Sequence, residues 1–116
     1  MAEAQTISEI KVTDFAQRWT EQPVGLQLLD VREEQELAIA ALEGFQNVPL
    51  SQFQDWSAAL PTQLDPHAET YVLCHHGMRS AQMCHWLVQQ GFTQVHNIAG
   101  GIDAYSSLVD PSIPRY

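Results

Sequence analysis

One short stretch of the sequence combines a cysteine with residue types that make a thiol reactive. It follows an apolar run and precedes a helical pattern, which predicts a strand, a tight loop and a helix. Its residues are Cys74, His75, His76, Gly77, Met78, Arg79 and Ser80. Such a loop turns its backbone N–H groups inward and forms a concavity for an anion, with Cys74 expected at the mouth. Because the helix N-terminus and Arg79 both favour a thiolate, Cys74 is predicted to be a nucleophile.

The other residues of this loop have predicted roles around the cysteine. Gly77 allows a backbone conformation that is closed to most residues, and Ser80 is expected to cap the following helix. Arg79 is predicted either to attract an anionic substrate or to fix the loop through a carboxylate. His75 and His76 are interpreted as rim residues that shape substrate entry. Since an ordinary imidazole is mostly neutral at pH 7, this rim is expected to attract a dianion less than lysine or arginine would.

The cysteines also allow two other interpretations. Cys74, His75 and His76 could join Cys84 and His85 as metal ligands. No metal site is expected, because side chains of a cradle loop point outward while Cys84 is on an apolar helix face. Cys84 is assigned to the core, with the alternative that it is a resolving thiol forming a disulfide with Cys74. The sequence gives no sign of a cofactor.

Asp30 and Arg32 come at the C-terminal end of another apolar strand. In open α/β sheets, ligands gather at that end. Both residues are predicted to support the site rather than to react. Asp30 is expected to accept hydrogen bonds from the C-terminal end of the loop, and Arg32 to pair with Glu36 or Glu43.

Strand and helix patterns alternate along the chain. Strands are predicted over residues 6–10, 26–31, 45–48, 70–73 and 94–98, and helices over residues 14–20, 33–41, 51–60, 81–90 and 102–108. Thr13 is expected to cap the first helix, and Ser51 with Gln54 to form a capping box for the third, before a polar loop over residues 61–68. The pattern predicts an α/β fold with a mostly parallel five-stranded sheet and helices on both faces.

Composition limits the classes of function. The 116 residues are expected to form one domain, residues 1–116, with a core that needs no metal or disulfide. Fourteen acidic and five basic residues give a formal charge of −9, which opposes binding to nucleic acid or anionic membranes. No run approaches the length of a membrane span, and the first residues lack a secretory pattern. We expect a cytoplasmic protein whose partners are small molecules or a basic protein face.

Three motifs occur in order between about Leu28 and Tyr105. They are Asp30-Val31-Arg32-Glu33 with Glu36, Gly44 and Asn47-Val48-Pro49-Leu50; the loop C-x-x-G-x-R-S at residues 74–80; and Gly91-Phe92, Val95, Asn97 and Gly100-Gly101-Ile102-Asp103-Ala104. Together they resemble the single-domain rhodaneses, a sulfurtransferase family. Two departures, Ala40-Ala41-Leu42 in place of a frequent Gly-His-Ile and Tyr105 in place of a frequent tryptophan, are not expected to affect the chemistry.

The resemblance implies a rhodanese-like fold and chemistry through a persulfide. A Cys74 thiolate would take the outer sulfur of a donor such as thiosulfate, and residues 75–80 would bind the substrate with inward N–H groups. A thiol or cyanide would accept the sulfur. An alternative is a persulfide carrier that docks on another sulfur-trafficking protein. A phosphatase or arsenate reductase is less favoured, because four residues separate Cys74 from Arg79 where the phosphatase-type loop has five.

Overall fold

Five short strands form one sheet in which every pairing is parallel. The computed structural model describes residues 7–116. Its strands are β1 (Ser8–Lys11), β2 (Gln27–Asp30), β3 (Gln46–Asn47), β4 (Thr70–Leu73) and β5 (Val95–Ala99). They lie in the order β1-β5-β4-β2-β3. Asp30 pairs with Leu73 on one side and Asn47 on the other, so the carboxyl ends of β2, β3 and β4 meet at one edge.

Six helices and one 3₁₀ turn connect these strands in the described part of the chain. The helices are α1 (Val12–Thr20), α2 (Glu34–Ile39), α3 (Phe53–Trp56), α4 (Leu60–Gln63), α5 (Met78–Gln89) and α6 (Gly101–Leu108), and the 3₁₀ turn is Leu50–Gln52. Between residues 7 and 116, no helix has both the length and the apolar character needed to cross a membrane.

The sheet separates two apolar layers. Successive side chains of a strand point to opposite faces, and in β4 Val72 enters one layer while Leu73 enters the other. Leu87 of α5 packs in the layer of Val72, whereas Phe15 of α1 and Ile102 of α6 pack in the layer of Leu73. The predicted α/β fold with a five-stranded sheet and helices on both faces is confirmed, and the described sheet is parallel throughout.

Two helices begin two or three residues earlier than the sequence predicts. Helix α1 follows β1 directly at Val12, which is buried, so Lys11 rather than Thr13 is the N-cap. Helix α5 begins at Met78 because Gly77, with a φ of 102°, ends the loop in the left-handed conformation. Ser80 therefore lies inside the first turn of α5 and is not its cap. Thr6, in the predicted first strand, lies outside the described residues.

The segment between β3 and β4 departs most from its prediction. The expected helix over residues 51–60 is replaced by the 3₁₀ turn, α3 and the first residue of α4, and α4 continues into the expected loop over residues 61–68 as far as Gln63. Residues 64–68 form no helix or strand, as predicted. The hydroxyl of Ser51 hydrogen-bonds to the Glu33 carboxylate and is not available as a helix cap. A capping box is present instead before β3, where Glu33 and Glu36 form it at the start of α2.

Candidate active site

Cys74 follows the last residue of β4, and its sulfur lies at the floor of the loop that leads to α5. The Sγ atom accepts a hydrogen bond from the Gly77 N–H at 3.0 Å and another from the Ser80 hydroxyl at 3.2 Å. The residue is only 1% exposed, so the prediction that it lies at the mouth is wrong. The loop closes around the sulfur because its donors turn inward to reach it. Donors in this position can stabilise negative charge on sulfur.

Asn97 of β5 orients the Ser80 hydroxyl from below the loop. Its Oδ1 atom hydrogen-bonds to Ser80, and its Nδ2 donates to the Gly77 carbonyl at 3.0 Å. A hydroxyl carries one proton, so Ser80 donates either to Asn97 or to Cys74 at a given moment. Ser80, which the sequence predicts as a helix cap, therefore lies in polar contact with the Cys74 sulfur.

The start of α6 holds the backbone of the loop. The N–H of Ile102 donates to the Cys74 carbonyl at 2.9 Å, and the N–H of Asp103 donates to the His75 carbonyl at 3.1 Å. Gly101 comes so close that a Cβ atom there would lie 2.4 Å from both carbonyl oxygens. Residues 101–103, which belong to the third sequence motif, thus position the loop of residues 74–80, which is the second.

Arg79 is engaged by a carboxylate of α2. Its Nη1 and Nη2 atoms donate to the two oxygens of Glu36 at 2.7 and 2.9 Å. The Arg79 hydrogen bonds hold the pKa of Glu36 down, to about 2, and the pairing raises the pKa of Arg79. Of the two predicted roles of Arg79, the contacts correspond to fixing the loop. Its charge is largely neutralised by this pair.

The predicted partners of Asp30 and Arg32 are wrong. Arg32 is fully buried and donates to Asp30 from Nε at 3.0 Å and from Nη2 at 2.7 Å. Residues two apart in an extended chain point to the same side, so these two side chains meet each other rather than Glu36, Glu43 or the loop. Burial disfavours the charge of Arg32, but the hydrogen bonds to Asp30 and Tyr116 outweigh it and raise the pKa of the guanidinium.

The histidines and Met78 form the rim of the loop. Met78 is 80% exposed, and the side chain of His76 is 61% exposed. The His75 ring is half-buried between two other rings, with centroid distances of 3.9 Å to His76 and 3.8 Å to Tyr116. The rim position predicted for the histidines agrees with this arrangement, whereas Tyr116 was not assigned to the site.

Cys84 lies on the inner face of α5, within the apolar layer that also contains Val72. It is completely buried, and this burial raises the pKa of its thiol to about 12. Both cysteines are free thiols. In the region spanning residues 7–116, no three histidine, cysteine or acidic residues come together as metal ligands.

Sequence reasoning missed the roles of four residues at this site. Glu36, Asn97 and Gly101 belong to the sequence motifs, but nothing in the linear sequence shows that they contact the loop or its arginine. An asparagine within an apolar strand was the only signal for Asn97. The sequence does not indicate that Tyr116 belongs to the site, since 84 positions separate it from Arg32, to which it is hydrogen-bonded.

Comparison with known proteins agrees with the motifs and the geometry. A model of the rhodanese-like domain matches residues 12–108. The chain belongs to this family. A crystal structure of a rhodanese-like domain protein from Staphylococcus aureus superposes with a TM-score of 0.75 at 21% identity, covering 95% of this chain and 99% of that one. This likeness supports the rhodanese-like fold.

Two relatives place the domain in different contexts. Over 119 residues, it is 44% identical to the Rhodanese-like/PpiC domain-containing protein 12, chloroplastic, of Arabidopsis thaliana, covering 100% of this chain but 40% of the relative. The chain therefore spans less than half of that protein. Over 84 residues, it is 30% identical to the thiosulfate sulfurtransferase GlpE of Pseudomonas aeruginosa, covering 72% of this chain and 73% of that protein.

Proposed function

We propose that this domain is a sulfurtransferase that carries sulfane sulfur as a persulfide on Cys74. The observation that supports this most directly is that two donors, the Gly77 N–H and the Ser80 hydroxyl, lie within hydrogen-bond distance of the Cys74 sulfur. The similarity to a thiosulfate sulfurtransferase supports the same chemistry. A reducing compartment such as the cytoplasm would keep both cysteines as thiols.

The first half-reaction moves one sulfur atom to Cys74. The thiolate attacks the outer sulfur of the donor, a new S–S bond forms, and the donor's own S–S bond breaks with its electron pair going to the leaving group. With thiosulfate the leaving group is sulfite. Charge is conserved, and no external oxidant or reductant is needed.

The persulfide then has donors close to its outer sulfur. The first N–H groups of α5, from Met78 to Ser80, have no partner within the helix because they belong to its first turn. Together with the helix dipole they favour an anion in the loop. In the second half-reaction cyanide or a thiolate attacks that outer sulfur, and the electron pair of the breaking S–S bond returns to Cys74.

The charges around the loop favour a sulfur relay as the second candidate function. Arg79 is paired with Glu36, and Arg32 with Asp30, so neither arginine offers an unbalanced positive charge to the thiosulfate dianion. A persulfide of a small thiol or of a protein carries less negative charge than thiosulfate. Its binding therefore loses less electrostatic attraction when the two arginine charges are neutralised. The domain would then receive sulfur from another carrier and pass it to a thiol.

A comparison of sulfur donors tests both candidates. Thiocyanate formation from cyanide is measured with thiosulfate and with a small-molecule persulfide, using wild type, Cys74→Ser and Cys84→Ala. We expect turnover in wild type and Cys84→Ala and none in Cys74→Ser. Efficient use of thiosulfate supports the free-standing enzyme, and use of the persulfide alone supports the relay. Turnover by Cys74→Ser would refute both, and hydrolysis of an aryl phosphate that depends on Cys74 would indicate a phosphatase.

A further inference from the structure

The segment that follows α6 folds back toward the active-site loop. Arg115 donates to Asp103 from Nε at 3.0 Å and from Nη2 at 3.3 Å. The hydroxyl of Ser106 donates to the carbonyl of Ile113. Asp103 is the residue whose N–H binds the His75 carbonyl. These contacts hold residues 113–116 beside the rim of the loop.

Tyr116 connects three parts of the site through one side chain. Its ring stacks on His75 with a centroid distance of 3.8 Å and an interplanar angle of 7°. Its hydroxyl accepts a hydrogen bond from Arg32 at 3.0 Å and donates one to Glu36 at 2.8 Å. It therefore touches the residue next to Cys74 and one member of each arginine–acid pair.

The His75 ring depends on this stack for its position. Its Nε2 atom is buried and has no hydrogen-bond partner among residues 7–116. A buried nitrogen without a partner favours movement of the ring toward water. The rings of His76 and Tyr116 on its two faces oppose that movement. His76 is largely exposed, so Tyr116, which is also hydrogen-bonded, is the firmer support.

We propose that Tyr116 is a positioning residue that sets the size of the donors and acceptors able to reach Cys74. This inference rests on the proposed function, since it concerns access to the same sulfur. With Tyr116 in place, His75 is fixed and Cys74 is 1% exposed. Small reagents reach the sulfur through minor fluctuations of the rim, whereas a bulky thiol or a protein segment needs Tyr116 to be released.

The test measures how fast Cys74 reacts with a small and a large alkylating reagent. Iodoacetamide and fluorescein maleimide are compared on wild type, Tyr116→Ala, Tyr116→Phe and the control Leu108→Ala, an exposed position of α6. For Tyr116→Ala we expect the ratio of large-reagent to small-reagent rates to rise about tenfold, because a ring stack and two hydrogen bonds that favour the closed rim are lost. Tyr116→Phe retains the stack and should restore most of the wild-type ratio, and Leu108→Ala should match wild type.

The outcomes separate this inference from the proposed function. An unchanged ratio in Tyr116→Ala, or equal acceleration of both reagents, would overturn the inference, since general loosening of the fold does not discriminate by size. Failure of Tyr116→Phe to restore the ratio would also contradict it. Alkylation requires no sulfur transfer. A protein that shows the expected alkylation ratios but forms no persulfide would refute the proposed function and leave the inference about Tyr116 intact.

Discussion

The loop before α5 and the inner face of α5 each hide a cysteine from solvent, but they surround the sulfur differently. Cys74 is 1% exposed and Cys84 is 0% exposed. The sulfur of Cys74 receives hydrogen bonds from a backbone N–H and a hydroxyl, whereas Cys84 packs in an apolar layer that raises the pKa of its thiol. The two cysteines are thus equally hidden from solvent and differ in their hydrogen-bond donors, which is why reactivity is proposed for Cys74 and not for Cys84.

Gly101→Ala is expected to have the largest effect. It disrupts the contact between the start of α6 and the loop that contains Cys74, and it leaves the surroundings of Cys84 unchanged. The added Cβ would meet two loop carbonyl oxygens at 2.4 Å, at a φ of +61°. We expect a loss of at least about 3 kcal/mol in the free energy of unfolding, measured with denaturant. In the control Gly91→Ala, the glycine has a φ of +96° but the added Cβ would meet no atom within 4 Å. Only backbone strain of about 1 kcal/mol is therefore expected. Equal losses in the two variants would show that the close approach of α6 does not support the loop.

Cys84→Ser tests the apolar surroundings of Cys84. It places a hydroxyl in a layer of apolar side chains, which should cost about 2 kcal/mol of unfolding free energy. Persulfide formation on Cys74 should continue at the wild-type rate. A variant that is stable but slow in sulfur transfer would mean that Cys84 takes part in the chemistry, as in the resolving-thiol alternative.

Glu36→Gln probes the ion pair between Arg79 and Glu36 that ties the loop to α2, whereas Cys84 packs among apolar side chains. In the folded protein the pKa of Glu36 is about 2, below its ordinary value of 4.5. The stabilisation is therefore present above pH 4.5 and is lost as the pH falls toward 2. We expect the variant to lose about 1 to 2 kcal/mol at pH 7 after solvent screening.

The dependence of the unfolding free energy on pH tests the Arg79–Glu36 pair. Denaturant unfolding between pH 7 and pH 2 should show a shallower loss of stability in Glu36→Gln than in wild type. Glu34→Gln, at an exposed position of the same helix, serves as the control and should follow wild type. Parallel curves for Glu36→Gln and wild type would exclude this pair as a source of acid sensitivity.

Ser80→Ala is expected to have the smallest effect, because it removes one of the two donors to Cys74 and leaves the Gly77 N–H. Persulfide formation should slow about tenfold, which corresponds to about 1.4 kcal/mol of lost charge stabilisation. The rate is measured by mass spectrometry of the quenched protein, with the exposed Ser107→Ala as control. A rate equal to that of the control would mean that the hydroxyl donates to Asn97 throughout the reaction.

Much of the fold was predictable from local patterns. The apolar run of β4 and the alternation of strands and helices identified a parallel α/β sheet, and the predicted boundaries of β4 match those observed. The segment between β3 and β4 was not predictable in this way. Ser51 has the side chain of a helix cap, but Glu33 binds it from a distant part of the chain. A tertiary contact overrode the local signal.

The grouping of the loop residues was predictable, but most of their contacts were not. The cysteine, glycine, arginine and serine of the loop are brought together as the motif suggested. The partners of Asp30 and Arg32 were wrong because pairing depends on side-chain direction, which the motif does not contain. Tyr116 reaches the site only through the folded path of the segment after α6, so no spacing rule could have assigned it.

Persulfide chemistry on Cys74 is tested most directly by locating the transferred sulfur. Wild-type protein is incubated with thiosulfate or a small persulfide, its free thiols are blocked, and peptides containing each cysteine are weighed before and after addition of cyanide. We expect one added sulfur atom on Cys74, its removal by cyanide, and no addition to Cys84. Sulfur on Cys84, or an unmodified Cys74 with both donors, would contradict this expectation.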